Sequence, residues 1–312
     1  MIGRKWINLN SEKIEGIKKY LIQAGGIEET VYSASEIYRI KILNGKITCY
    51  KNGTLYTTCS DSKNPIINHI DEIAGSVFVE PSKEFLIGLD ETGKGEVVGN
   101  IHIVGVLIPS ILFQSLKDLV GIADTKKTHT YDYWNNLFNK ISFFLKDGLK
   151  FVEEKISPSD ADKYNLNKIM DVTYQKALVS LVKNIDVSKC RITIDNYGIG
   201  DTLKKFLDSL ALQNAEIIVA PKSDDKYLEA KLASLIAKRE REKIVKSINE
   251  NPEYILSGLS IGSGNAGDKE TINWLKIWYS SKKPWPWFIK KSFSTIRQIE
   301  GKKGKAKKLS YL

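Results

Sequence analysis

At 312 residues, with 42% hydrophobic and 27% charged side chains, the chain can bury a full core and divides most simply into two domains. Its longest apolar run, residues 101–107 with His102 inside it, is far short of the roughly 20 residues that a bilayer span requires, and the start carries no apolar segment of a secretory kind. A cytoplasmic monomer without a membrane partner is expected, and three cysteines with no CxxC pair (Cys49, Cys59, Cys190) argue against structural zinc or disulfides.

In chain order, the first pattern is helical. Residues 11–24 place Ile14, Ile17, Tyr20, Leu21 and Ala24 at helical spacing before Gly25-Gly26. Alternating residues 37–42, the hairpin signal Asn44-Gly45, a return over 46–50 and a second turn at Asn52-Gly53 predict a strand meander. A helix is expected over 65–74, and the Pro81-containing stretch 75–83 reads as a linker. The expected domains are therefore residues 1–80 and 84–300.

Beyond the linker the pattern changes to long apolar strands and long helices. Strands are predicted over 85–90, 100–108, 191–195 and 215–220, with helices near 131–146, 167–184, 202–212 and 226–249. That alternation describes an α/β layer fold. Residues 301–312 hold five lysines and no acid, half of the formal charge of +10. A basic flexible tail follows, which either seeks phosphate or keeps the terminus soluble.

Acids that lie against the apolar grain carry the first functional signal. Asp90-Glu91 closes the strand at Phe85–Leu89, Asp195 closes Arg191-Ile-Thr-Ile, and Asp224 follows Ile217-Ile-Val-Ala-Pro-Lys-Ser. Ligands gather outside strand ends in open α/β sheets, and hard cations such as Mg²⁺ or Mn²⁺ take oxygen donors. Adjacent strand residues face opposite ways, so Asp90 and Glu91 share one site only if pleating stops, a break that Thr92-Gly93-Lys94-Gly95 would supply. Each acid alone also fits an ordinary turn residue.

The segment Gly88-Leu-Asp-Glu-Thr-Gly-Lys-Gly-Glu-Val-Val-Gly resembles the opening motif of the type 2 ribonucleases H, the family of ribonucleases HII and HIII. Asp124-Thr-Lys-Lys resembles that family's D-S-K-K element, Tyr164-Asn-Leu-Asn its N-L-N element, and Ile192-Thr-Ile-Asp195 the strand bearing its third acid. Lys222-Ser-Asp-Asp-Lys-Tyr with Ala233-Ser-Leu-Ile-Ala-Lys238 is similar to K-A-D-x-K-Y…A-S-I-x-A-K, which aligns the fourth acid with Asp224. Gly262-Ser-Gly through Asp268 and Thr271 resembles the late motif, and Phe288-Ile-Lys-Lys-Ser-Phe the terminal R-x-S-W element.

The resemblance implies a ribonuclease H-like catalytic domain, a mixed central sheet flanked by helices. It implies an endoribonuclease that cuts the RNA strand of RNA/DNA hybrids with Mg²⁺ or Mn²⁺ held by Asp90, Glu91, Asp195 and Asp224, leaving 3′-hydroxyl and 5′-phosphate ends. Gly93, Lys94 and Gly95 match the G-R-G or G-T-G turn whose backbone amides contact the ribose 2′-hydroxyl. Lys126, Lys127, Lys222 and Lys226 are candidate phosphate contacts, or simply solvated lysines. Ser234 is a candidate substrate contact or a packing residue, and the cluster Trp274, Trp278, Trp285, Trp287 and Phe288 reads as core.

The hairpin-rich start, Arg39-Ile-Lys-Ile-Leu-Asn-Gly-Lys-Ile-Thr-Cys-Tyr, resembles the amino-terminal part of ribonuclease HIII, a small α+β domain similar to TATA-binding protein that grips the hybrid. A generic hairpin domain would show the same turns. Where ribonuclease HII has G-Y-P-S-D, this chain has Gly264-Asn265-Ala266-Gly267-Asp268. The missing tyrosine favours HIII-like cutting of longer ribonucleotide stretches over HII-like action at single ribonucleotides. Two further readings are a non-catalytic nucleic-acid-binding protein on the same scaffold and a phosphate-binding NTPase, the latter lacking the G-x-x-x-x-G-K-[ST] spacing.

Overall fold

The computed structural model describes residues 4–7, 9–59, 64–74, 78–120 and 129–302. The chain forms two compact units, residues 1–77 and 78–312. In the first, the elements are β1 (Arg4–Trp6), α1 (Ser11–Gln23), β2 (Ile27–Glu29), β3 (Glu36–Ile42), β4 (Gly45–Tyr50), β5 (Leu55–Thr57) and α2 (Pro65–Ala74). The sheet order is β1-β5-β4-β3-β2, antiparallel throughout. Asn10 caps α1 by accepting from the Lys13 amide at 2.9 Å, and Gly25 ends the helical course at φ +88°.

Alternation decides which face of this sheet is buried. Tyr38, Ile40, Ile42, Ile47, Cys49 and Leu55 join Ile14, Ile17 and Leu21 of α1 and Ile67 and Ile70 of α2 in one core. The register then sends the paired residues Lys5, Tyr56, Thr48 and Arg39 to the other face, with Lys41 opposite Lys46 beside them.

The second unit contains β6 (Phe85–Thr92), β7 (Ile101–Pro109), α3 (Phe113–Val120), α4 (Tyr131–Ser142), β8 (Lys150–Ile156), α5 (Pro158–Lys163) and α6 (Leu166–Val182). It continues with β9 (Cys190–Asp195), α7 (Asp201–Ala211), β10 (Glu216–Ala220), α8 (Leu228–Glu250), α9 (Lys269–Ser280) and α10 (Ser294–Ile299). The sheet order is β10-β9-β6-β7-β8, with β6, β9 and β10 parallel and β7 and β8 antiparallel to their neighbours. This is a mixed central sheet with helices on both faces.

One face of the sheet packs Ile87, Leu89, Ile101 and Ile103 against Met170, Tyr174 and Ala177 of α6. The other packs Leu86, Val104 and Val106 against Leu232, Leu235 and Ile236 of α8. Phe78 is 1% exposed within that second cluster, and the Val79 amide donates to the Lys226 carbonyl at 2.8 Å. Residues 78–80, expected to close the first domain, therefore pack in the second unit.

Several elements have no counterpart in the local pattern. Strand β8 lies at the sheet edge with most positions half-buried, so its apolar signal is weak. The helix expected over 131–146 ends at Ser142, where the chain tightens into a 3₁₀ segment that Gly148 stops at φ 101°. Among the described residues no helix is long and apolar enough to cross a membrane.

Candidate active site

Strand β6 delivers two adjacent carboxylates to opposite faces of the sheet. Its ladder with β7 stays regular to the pair Thr92–His102, so pleating does not stop at Asp90-Glu91, contrary to the expectation from the glycine turn. Asp90, in phase with Leu86, faces α8, whereas Glu91, in phase with Ile87 and Leu89, faces α6. The pairing of β6 with β9 ends earlier, at Leu89–Ile194. Both acids thus stand where the two strands part, and they flank the sheet end from its two sides.

The α8 side is built on a close approach. A Cβ at Gly88 would lie 2.1 Å from the Glu229 carbonyl carbon, so only glycine admits the first turn of α8 against β6. Below it, the fully buried Arg191 donates to both carboxylate oxygens of the fully buried Glu229 at 2.9 and 3.1 Å, and to the Glu80 carbonyl at 2.6 Å. Thr193 adds a bond to Glu229 at 2.8 Å, so this buried ion pair is well satisfied. With α8 pinned in this way, the Ser234 hydroxyl is near enough to the Asp90 carboxyl to lower its pKa. Ser234 itself receives a bond from Lys238 Nζ at 3.1 Å and is 2% exposed, which puts it behind Asp90 rather than at a substrate-facing surface.

Asp195 ends β9, and its Oδ1 accepts from the Ser223 amide at 2.8 Å and the Ser223 hydroxyl at 3.4 Å. Asp224 follows on a single 3₁₀ turn, Ser223–Asp225, which opens from Lys222 at φ 55°. That turn carries the fourth acid, and the helix expected near 226–249 begins after it, at Leu228. Lys222 and Lys226 are exposed on either side of it.

Burial, and then the Glu91 carboxylate, hold the Asp90 carboxyl well above the ordinary carboxylate range. Asp224 and Asp195 act in the same direction, whereas the Ser234 bond opposes them. Glu91 is also raised, chiefly by burial, against the Tyr174 hydroxyl bond and the Lys94 charge. Asp90 therefore feels the other three carboxylates, and Glu91 feels Asp195, at one end of the sheet. As the side chains stand, however, no group of three His, Cys, Asp or Glu among the described residues closes round a common point. Glu91 is turned to Tyr174 and Asp195 to Ser223. Four oxygen-donor carboxylates whose mutual repulsion a cation would relieve are a donor set that fits Mg²⁺ or Mn²⁺.

Past Thr92 the chain enters the turn Gly93-Lys94-Gly95. Gly93 has φ +90°, and a Cβ there would meet the Asn100 carbonyl oxygen at 2.4 Å. Lys94 reaches back to the Tyr197 carbonyl at 2.8 Å, and the Gly95 amide donates to Glu96 Oε2 at 3.1 Å. Lys126 and Lys127, with the rest of Asp124-Thr-Lys-Lys, lie outside the described residues, as do the five-lysine tail's residues from 303 onward.

Reasoning from spacing missed the α6 side. Tyr174, fully buried, donates its hydroxyl to Glu91. Its ring lies 4.7 Å from that of Tyr197, whose hydroxyl donates to Asp171 Oδ1 at 2.7 Å. Asp171 also accepts from the Gly200 amide at 3.1 Å, at the start of α7. The one available signal was Asp171 itself, an acid inside the apolar stripe formed by Met170, Tyr174 and Ala177. The aromatic cluster also needs a correction. Trp274, Trp278 and Phe288 are core, but Trp287 is 58% exposed because the backbone alternates through Phe288 and sends its neighbour outward.

The sequence model of the family described as Ribonuclease HII matches residues 87–296. The chain belongs to that family, within the type 2 ribonucleases H. It is an endoribonuclease H. Ribonuclease HII of Sulfurisphaera tokodaii is 28% identical over 214 residues, which span 69% of this chain and 95% of that one. The ribonuclease H2 structure from Pyrococcus horikoshii OT3 superposes with a TM-score of 0.56 at 27% identity, covering 70% of this chain and 97% of its own. Bst-RNase HIII aligns over 96% of this chain and 98% of its own, with a TM-score of 0.56 as a mutant protein and 0.52 in complex with Mn²⁺. At 14% identity that likeness is one of fold.

In this ribonuclease the late motif is a folded turn against Val98, in the segment between β6 and β7. Asp268 caps α9 and accepts from the Ser263 amide and hydroxyl at 2.8 and 2.7 Å. Gly264 at φ +74° lies under Val98, and exposed Asn265 holds the Gly267 amide at 2.9 Å. Asn265 is thus spent on the turn, where the ribonuclease HII motif carries a tyrosine.

Proposed function

We propose that this ribonuclease hydrolyses the RNA strand of RNA/DNA hybrids, with Asp90, Glu91, Asp195 and Asp224 holding divalent cations. The carrying observation is the buried Asp90 carboxyl at the end of β6, whose pKa is raised by burial and by the charges of Glu91, Asp224 and Asp195. Paired Mg²⁺ or Mn²⁺ ions, when bound, activate water, neutralise phosphate charge and stabilise the leaving oxygen, giving 3′-hydroxyl and 5′-phosphate products. The protein's share is placement: Ser234 and Lys238 orient Asp90, Tyr174 orients Glu91, and the Ser223 amide orients Asp195. The turn at Gly93–Gly95 is read as the contact to a ribose 2′-hydroxyl through the Lys94 backbone amide, with Lys222 and Lys226 toward phosphate. The Mn²⁺ complex of Bst-RNase HIII supports manganese as one usable ion.

The amino-terminal unit is read as a hybrid-gripping domain similar to TATA-binding protein. Its outward sheet face supports this, since exposed Lys5, Tyr56 and Lys41 stand there with half-buried Arg39, combining cations with an aromatic ring. An HIII-like specificity, with poor cutting at single ribonucleotides, is supported by Asn265, which is spent on its own turn where the ribonuclease HII motif has tyrosine. The HII-like alternative draws support from the curated relatives, which carry that name. Cleavage of a labelled hybrid and of a duplex with one embedded ribonucleotide, each with and without Mg²⁺, separates the two. Equal rates on both substrates exclude the HIII-like reading. Asp90→Asn is expected to abolish cutting of either, and full activity in that variant would remove Asp90 from the site.

A further inference from the structure

Lys290 is fully buried behind the glycine turn. Its Nζ donates to the Gly93 carbonyl at 2.6 Å and to the Glu96 carbonyl at 2.7 Å, which bracket Lys94 and Gly95. Its own amide donates to the Val97 carbonyl at 3.0 Å, and the Gly99 amide donates to the Phe288 carbonyl at 2.8 Å. A short antiparallel bridge at Val98–Ile289 completes the attachment. The segment that carries Lys290 is thereby stitched to the chain just after the turn.

An ammonium is a costly group to bury, here 5.3 Å from the centre of the Phe293 ring, and that desolvation pulls its pKa down to about 8. An apolar side chain of similar length would pack there without the cost. What only the ammonium supplies is a pair of bonds to two backbone carbonyls that otherwise lose their partner. The first bond has a geometric consequence. In a trans peptide the C=O and N–H point in opposite directions, so drawing the Gly93 carbonyl inward onto Nζ turns the Lys94 N–H outward. The same bond polarises that peptide and strengthens its N–H as a donor. The next amide, that of Gly95, is already engaged by Glu96.

We propose that Lys290 is a positioning residue for ribose recognition: by gripping the Gly93 and Glu96 carbonyls it fixes the turn so that the Lys94 amide faces the sugar of the RNA strand. It does this without touching substrate. The inference rests on the reading of that turn as the 2′-hydroxyl contact. The terminal R-x-S-W element that this segment resembles has arginine at the same place, so Lys290→Arg can keep the two carbonyl bonds, whereas Lys290→Met cannot.

The test uses the full-length protein, its divalent cation, and a hybrid whose RNA strand carries one deoxynucleotide, with cleavage read phosphate by phosphate. The wild type is expected to skip the phosphate beside the deoxynucleotide. Lys290→Met is expected to cut an all-ribonucleotide strand with kcat/KM reduced on the order of 10- to 100-fold, the scale of a small misplacement at a reacting site. Its skipping ratio should fall toward one, while Lys290→Arg keeps the wild-type ratio. A wild-type ratio in Lys290→Met overturns the proposal, however slow that variant is. A wild type that cuts beside the deoxynucleotide as well as elsewhere overturns the reading of the turn itself, and with it the role given to Lys290. Should Lys290→Met fail to melt cooperatively, Lys290→Gln, with a shorter amide donor, takes the same readout and is judged by the same ratio.

Discussion

Gly88 and Glu229 touch through their backbones: a Cβ on Gly88 would stand 2.1 Å from the Glu229 carbonyl carbon and 2.2 Å from its oxygen. No flexible side chain is involved, so an added methyl can be accommodated only by moving α8 off β6. Gly88→Ala is expected to destabilise the protein by about 3 kcal/mol or more, beyond ordinary overpacking. It should lower activity as well, because the same helix carries Ser234 to Asp90. Urea unfolding measures the first effect. A loss under about 1 kcal/mol would show that the helix can shift at little cost.

Tyr174 reaches Glu91 through its hydroxyl, from a fully buried position on α6. Tyr174→Phe preserves the packing but frees Glu91 to rotate. Stability should fall by about 1 kcal/mol, the net value of one hydrogen bond. The cation concentration giving half-maximal activity should rise roughly 10- to 100-fold, as is typical when the support of a metal ligand is removed. KM for the nucleic acid should change little. An unaltered cation requirement in Tyr174→Phe would separate Glu91 from metal binding.

Asp268 predicts a dependence on acid. Its bonds from the Ser263 hydroxyl and amide hold its carboxyl below the usual aspartate value of 3.8. The unfolded chain therefore binds the proton first, and the stability that this carboxylate contributes is complete above that value and lost as pH falls through the lower, folded one. Asp268→Ala should cost about 1 kcal/mol near pH 6, the scale of a helix cap. The gap from wild type should narrow when both are unfolded with urea near pH 3. A gap that is constant between the two conditions would mean that the charge of Asp268 contributes nothing.

Much of this protein was legible in its residues. The alternation around Asn44-Gly45 marks the first sheet, and the apolar runs ending in Asp90, Asp195 and the segment before Asp224 mark three parallel strands of the second. These are local signals, because periodicity and turn chemistry act over a few residues. The ordered motifs from Gly88 to Ser292 carried the family, and the family match covers nearly the same stretch.

Tertiary structure alone decided how those parts meet. Asp90 and Glu91, adjacent in sequence, approach the sheet end from opposite faces because the ladder to β7 runs on to Thr92. Tyr174 supports Glu91 across 83 positions, and Lys290 supports Gly93 across 197. Bonds of that span leave no periodic trace, since each depends on where the intervening helices pack. A tyrosine in an apolar stripe and a lysine in a basic run look ordinary until the fold buries the one beside a carboxylate and the other beneath two carbonyls.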